Sequence, residues 1–176
     1  MRRRGLIQVY TGDGKGKTTA AVGLAARARG HNLRVCYIYF LKSPKEWEYG
    51  EHRSLEKLGV DVVGFAKKHP HFYKDVPREE VRKECLAGLE FINKVYREGR
   101  YDILILDEIN ISLSRGFLRE EEVLEILDRK PDDLELILTG REAAPKIIEK
   151  ADLVSEIEKI KHPYDLGVQS RKGIEY

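Results

Sequence analysis

The sequence predicts an α/β fold, with a mainly parallel central sheet of about six strands flanked by helices in a single domain. Three observations carry that expectation. Short apolar or β-branched runs alternate with segments of helical period along the whole chain. A glycine-rich stretch, Gly12-Asp13-Gly14-Lys15-Gly16-Lys17-Thr18-Thr19, joins the first strand to the first helix. The apolar run Ile103 to Leu106 delivers two carboxylates, Asp107 and Glu108, to the carboxyl end of a buried strand, the edge at which open α/β sheets bind ligands.

Taken in order, Leu6 to Tyr10 reads as the first strand, and the small and apolar residues from Thr18 to about Gly30 as the first helix. Arg34 to Leu41 is nearly continuous in apolar character, as expected of a parallel strand covered on both faces. Lys42 to Gly50, with Pro44, reads as a loop, Glu51 to Leu58 as a short helix closed by Gly59, and Val60 to Val63 as a third strand. From Gly64 to Val76 aromatics, histidines and lysines mix without a usable period, which marks a candidate functional loop. Val81, Cys85, Leu89, Ile92 and Tyr96 share one face of a helix from Arg78 to Glu98, stopped at Gly99. Tyr101 to Leu106 is the fourth strand, Leu118 to Asp128 a helix and Leu134 to Thr139 the fifth strand. Pro145 opens another short helix, and Leu153 to Ile160 alternates as a sixth strand.

The 176 residues suffice for one domain with a real core. With 32 basic against 30 acidic side chains, the formal net charge of +2 gives no bulk attraction to nucleic acid. No apolar window approaches membrane-spanning length, so no membrane association is expected. Arg2-Arg3-Arg4 precedes an apolar run too short for a secretory signal, and a cytoplasmic protein is expected. Cys36 and Cys85 fall in different elements and read as reduced core residues.

The glycine-rich stretch reads as a phosphate-binding loop. Gly12, Gly14 and Gly16 permit positive φ and close approach of backbone N–H groups to anionic oxygens, and the following helix directs its positive end at the same point. Lys17 would add a positive charge, and Thr18 a hydroxyl for a phosphate-bound magnesium ion. The spacing is one residue short: Thr11 stands where the first glycine of such loops usually falls, and the glycine comes at Gly12. Asp107 is the first choice for a metal-directed carboxylate, with Glu108 beside it. Asn110 reads either as a polar site contact or as a turn residue. Arg141, after Thr139-Gly140, reads either as a phosphate contact from the same edge or as a surface arginine. His69 and His71 lack a third ligand at metal-binding spacing and read as exposed loop histidines.

Gly5 to Ala21, Leu106-Asp107-Glu108-Ile109-Asn110, Leu138-Thr139-Gly140-Arg141, Lys161-His162-Pro163-Tyr164-Asp165 and Gly173-Ile174-Glu175-Tyr176 together resemble the P-loop ATP:corrinoid adenosyltransferases, in that family's order and including the shortened loop. The resemblance implies a RecA-like P-loop NTPase fold, and transfer of the 5′-deoxyadenosyl group of ATP to the cobalt(I) of a reduced corrinoid with release of triphosphate. It also implies Mg2+, an electron donor such as a flavoprotein, and a homodimer. By the same resemblance the loop Gly12 to Thr19, Asn110 and Arg141 would hold ATP, Lys17, Thr18 and Glu108 would act on the departing triphosphate, and Thr18, Asp107 and Glu108 would hold the metal. Members of the family often read Gly-Phe-Thr-Trp where this chain has Gly64-Phe65-Ala66-Lys67. Phe65 carries over as a corrinoid-facing aromatic and the tryptophan does not, leaving Phe72, Tyr73 or Trp47 as substitutes. The alternatives are a P-loop ATPase or small-molecule kinase, in which Glu108 polarises water or Asp107 serves an acceptor, and a nucleotide-dependent binding module without chemistry.

Overall fold

The structure, a computed structural model, describes residues 4–43, 48–66 and 76–175. Its elements are β1 (Ile7–Thr11), α1 (Lys17–Gly30), β2 (Val35–Phe40), α2 (Gly50–Lys57), β3 (Asp61–Phe65), α3 (Arg78–Glu98), β4 (Ile103–Asp107), α4 (Ile109–Ser114), α5 (Glu120–Asp128), β5 (Glu135–Thr139), α6 (Pro145–Lys150) and β6 (Leu153–Glu156), followed by a 3₁₀ turn at Pro163–Leu166. The six strands form one sheet in the order β3-β2-β4-β5-β1-β6, and every neighbouring pair is parallel. The strand that feeds the glycine-rich loop and the strand that ends in the acidic pair are therefore separated by β5 alone, and Tyr39 lies opposite Asp107, Tyr10 opposite Thr139.

Both faces of the central strands are covered, which is why β2, β4 and β5 are buried along their length. On one face α1 lays Ala21, Ala25 and Ala28, small residues at helical spacing, against Tyr37, Ile103, Ile105 and Ile137, joined by Leu55 of α2. On the other, Val81, Cys85, Leu89 and Ile92 of α3 and Val123, Ile126 and Leu127 of α5 cover Cys36, Ile38, Phe40, Leu104, Leu106 and Leu136. Gly88 lets α3 approach closely, since a Cβ there would lie 2.5 Å from the Phe40 ring. Cys36 and Cys85 are free and buried, and burial pushes both thiols up, to about 12 and about 11. None of the described helices is long and apolar enough to cross a membrane.

Three boundaries differ from the sequence-based expectation. β3 continues through Gly64 and Phe65, which pair with Tyr39 and Phe40. Gly64 is required there because a Cβ would fall 2.1 Å from the Tyr39 ring, so the start of the aperiodic stretch is sheet rather than loop. A short helix, α4, follows Glu108, where no helix was expected. β6 ends at Glu156 because the next residue turns to brace the glycine-rich loop: Ile157 N–H donates to Thr11 O at 2.9 Å, and Gly14 N–H donates to Ile157 O at 2.7 Å.

At the carboxyl edge, each of the first five strands exits through a residue with positive φ: Gly12 (95°), Leu41 (56°), Ala66 (50°), Glu108 (64°) and Gly140 (128°). Three of these are not glycine, and each such conformation costs roughly 1 kcal/mol or more. These conformations gather where the strands leave the sheet beside the glycine-rich loop and the acidic pair, the edge at which open α/β sheets bind ligands.

Candidate functional site

The glycine-rich loop takes the shape its sequence predicts at Gly12 and Gly16, whose φ values of 95° and 135° favour glycine. Gly14 differs: its φ is not positive, and it is needed because a Cβ would lie 2.5 Å from Glu158 O. Its N–H is already donated to Ile157. Lys17, buried at the start of α1, donates from Nζ to Gly12 O and Gly14 O, both at 2.7 Å. Burial lowers its pKa, with Arg141 acting in the same sense and Glu108 against it.

Asp107, fully buried at the end of β4, gathers the rest. Its Oδ1 accepts from Thr18 Oγ1 at 2.9 Å and from Thr139 Oγ1 at 2.7 Å, and Thr139 Oγ1 in turn accepts from Glu108 N–H at 3.0 Å. Its Oδ2 lies 2.6 Å from Lys42 Nζ, which also reaches Glu51 at 3.4 Å. Burial alone would favour the neutral acid, but Lys42 and the hydroxyls hold the Asp107 pKa below the usual carboxylate value. Burial likewise opposes charge on Lys42, and Asp107 and Glu51 outweigh it, leaving its pKa above that of ordinary lysine. Glu108 is the opposite case: burial first and the Asp107 charge second push it up to about 7. The two adjacent carboxyls thus differ in role, one locked in an ionic knot and the other a half-buried group on the wall of the cleft.

That cleft encloses about 1340 Å³ over the carboxyl edge of the sheet and is lined by Asp13 to Thr19, Lys42, Glu108 and Arg141 among others, with twice as many Lys and Arg as Asp and Glu. The near-neutral chain therefore concentrates positive charge where an anion would enter. A smaller hollow of about 620 Å³, lined by Tyr96, Arg97 and Arg129, gathers none of these groups.

Of the residues singled out in the sequence, Asp13, Gly14, Lys15, Gly16, Lys17, Thr18, Thr19, Glu108 and Arg141 share the cleft. Gly12 and Asp107 stand just behind it through Lys17 and Thr18. Lys15 is engaged by the chain's end, donating to Ile174 O at 3.0 Å and Glu175 at 3.1 Å, so residues 173–175 form part of the cleft wall. Asn110 is buried against the exit of β5: its Nδ2 lies 3.4 Å from Gly140 O, and its Oδ1 has no partner among the described residues. Phe65 packs against Phe40 and Phe91, at ring separations of 6.2 and 5.7 Å, outside the cleft lining. Trp47, Lys67, His69, His71, Phe72 and Tyr73 lie outside the described residues. Sequence reasoning missed Lys42, Glu51 and Thr139. A signal existed for two of them, because Lys42 closes the apolar run of β2 just as Asp107 closes β4, and Thr139 ends β5.

The Thr18 hydroxyl and the Glu108 carboxylate are hard oxygen donors of the kind Mg2+ takes, with Asp107 oriented to hold Thr18. Among the described residues no three His, Cys, Asp or Glu cluster to hold a metal by themselves, so a cation here would draw further ligands from phosphate and water.

Residues 3–176 match the family model described as ATP:corrinoid adenosyltransferase BtuR/CobO/CobP. The chain is 37% identical to the corrinoid adenosyltransferase CobA of Salmonella typhimurium, over 98% of this chain and 86% of that protein. It is 37% identical to the corrinoid adenosyltransferase of Escherichia coli over the same shares, and 32% identical to that of Pseudomonas aeruginosa over 98% of this chain and 84% of the relative.

Proposed function

The chain belongs to the ATP:corrinoid adenosyltransferase family, and from that premise we propose that it transfers the 5′-deoxyadenosyl group of ATP to the cobalt(I) of a reduced corrinoid, releasing triphosphate. In this reading residues 1–176 are one P-loop domain. The observation that carries it is the convergence of Lys17, Thr18 and Glu108 on one cationic cleft, tied to the sheet by Asp107.

Cobalt(I) is itself the nucleophile: its electron pair forms the Co–C5′ bond while the C5′–O bond breaks and its electrons leave on triphosphate. No proton is removed, so no general base is required, and the protein acts by positioning and charge. Lys17 turns from the loop carbonyls Gly12 O and Gly14 O to phosphate oxygens, and Arg141 reaches the same anion from the end of β5. Thr18 and Glu108 would hold Mg2+, with Asp107 fixing the Thr18 hydroxyl, and such an ion would supply neutralisation of charge on the triphosphate.

A homodimer, an electron donor such as a flavoprotein that brings cobalt to the +1 state, and a cytoplasmic setting complete the reading. The family match favours it over the ATPase or kinase alternative. Incubation with ATP, Mg2+ and chemically reduced cobalamin is expected to give the photolabile absorbance spectrum of an alkylcobalt product. A corrinoid spectrum that returns unchanged to cobalt(II) on exposure to air, with ATP cleaved to ADP, would overturn it.

A further inference from the structure

The chain's end reaches the phosphate loop yet takes no part in the transfer chemistry. After Ile157 has braced the loop, residues 158–170 run along the surface with Tyr164, Leu166 and Val168 exposed, so little apolar burial holds them. Gly173, Ile174 and Glu175 then return to line the cleft beside Lys15. Their hold on the domain is polar. Among the described residues, 171–175 are tied to the rest of the fold through Lys15, which donates to Ile174 O at 3.0 Å and to the Glu175 carboxylate at 3.1 Å, and through Lys172, 2.7 Å from Glu48 ahead of α2. Arg171 shapes this end into a compact turn. It donates to the Glu175 carboxylate from its backbone N–H at 2.8 Å and from its guanidinium at 2.9 and 3.2 Å, while its carbonyl accepts from Ile174 N–H and Glu175 N–H. Arg171 first, with Lys15 adding, brings the Glu175 pKa down to about 2, so the group is a carboxylate at any working pH.

Lys15 thus stands between two anions. It lies in the glycine-rich loop between Gly14 and Gly16, where a polyphosphate would meet its ammonium. The side chains of Lys15 and Glu175 are 44% and 21% exposed, so the pair is screened and weak enough for a multiply charged phosphate to displace. Triphosphate release carries a difficulty of its own. The cations that stabilise triphosphate as it departs also retain it, since the free anion carries at least as much charge as ATP. A carboxylate tethered to the same chain is always at hand to compete for one of them.

We propose that Glu175 is an internal competitor for Lys15: polyphosphate entering the loop takes Lys15 from it and opens residues 171–175, and Glu175 recaptures Lys15 as triphosphate leaves. Glu175 is in this sense a positioning residue, acting on the phosphate through Lys15. The proposal rests on the phosphate role of the loop and deepens it, adding a means of product release.

The test measures binding of inorganic triphosphate with Mg2+ to the intact chain by calorimetry, without corrinoid, for the wild type, Glu175→Gln, Lys15→Gln and the double variant. Glu175→Gln is expected to lower the Kd for triphosphate about three- to fivefold at low ionic strength, and less at high. On the Lys15→Gln background the same substitution should change Kd little, because the contested cation is gone. In the wild type, triphosphate should speed trypsin cleavage after Arg171 and Lys172 by opening the turn. Binding by Glu175→Gln that is equal to or weaker than wild type would overturn the proposal and leave the carboxylate as part of the wall. Equal tightening with and without Lys15 would overturn it too, reducing Glu175 to a diffuse negative charge beside the cleft. Slower trypsin cleavage on binding would make the turn a lid that closes over phosphate, the reverse of what is proposed. A wild-type chain that binds no triphosphate would contradict the phosphate-loop reading, and the proposal with it, a result distinct from failure of the competition alone.

Discussion

The Thr18 hydroxyl donates to Asp107 Oδ1 at 2.9 Å across 89 positions of sequence, joining the start of α1 to the end of β4. One buried carboxylate thereby fixes the hydroxyl that, in the proposed function, faces the metal. Thr18→Ala and Lys17→Ala are each expected to lower kcat/KM for ATP by about a hundredfold or more, since they remove the proposed metal ligand and the proposed phosphate-directed charge. Melting temperatures should move little, because neither side chain fills the apolar core. Near-normal kinetics in Lys17→Ala would contradict the assignment of the loop.

Asp107→Asn should be destabilising by about 3 kcal/mol, because it leaves the buried Lys42 ammonium with only the Glu51 contact at 3.4 Å. Replacing both, as Asp107→Asn with Lys42→Met, should recover part of that loss. Denaturant titration of the two variants measures it, and equal stability of the single and double variants would show that the ion pair does not hold the site.

Glu108→Gln should act differently. The Glu108 pKa is raised from 4.5 to about 7 in the folded chain, so the unfolded chain releases this proton at lower pH than the folded one. Its contribution to stability therefore falls as pH rises from about 4.5 to about 7. In Glu108→Gln that fall should vanish from a series of melting temperatures taken without metal or nucleotide, while the concentration of Mg2+ needed for turnover should rise. A stability profile identical to the wild type would argue that Glu108 ionises as an ordinary exposed carboxyl.

His52 gives the opposite slope. Buried against Tyr39, with ring centroids 4.3 Å apart, its pKa falls to about 4 through burial first and the Lys42 charge second. The unfolded chain then binds a proton that the folded chain refuses between about pH 6.5 and 4, and stability is lost as pH falls through that window. His52→Phe, which keeps the stacking surface, should flatten this part of the profile. An unchanged acid limb would assign the loss to other groups.

The parts of the fold that follow from local pattern were legible in the sequence. The spacing of Val81, Cys85, Leu89 and Ile92 fixes the buried face of α3, and Gly99, at φ 59°, ends it. The apolar runs of β2, β4 and β5 announce a sheet covered on both sides. What the pattern could not carry is contact made across strands. Gly64 looked like the start of a loop because the need for glycine arises from the Tyr39 ring on the neighbouring strand. Lys15 looked like a phosphate ligand, but its partners, Ile174 and Glu175, stand 159 and 160 residues away. Lys42 gave no signal of its own charge partner, since Asp107 comes beside it only when β2 and β4 pair.

Gly14 offers a test of the loop's bracing. Its φ tolerates a side chain, yet an added Cβ would meet Glu158 O at 2.5 Å and Ile157 O at 2.8 Å. Gly14→Ala is therefore expected to push residues 157–158 away from the loop, with a cost of roughly 1–3 kcal/mol in stability and a higher KM for ATP. Amide hydrogen exchange at Gly14 and Ile157, bonded to each other and to Thr11, should rise in the variant. Unaltered exchange there would mean the brace yields without loss.

The fate of the phosphates tests the central claim most directly. In a reaction of ATP, Mg2+ and chemically generated cob(I)alamin, followed by phosphorus NMR, attack at C5′ requires one inorganic triphosphate for each adenosylated cobalt, with no ADP. Formation of ADP and orthophosphate in step with ATP loss, without a cobalt–carbon bond, would contradict it.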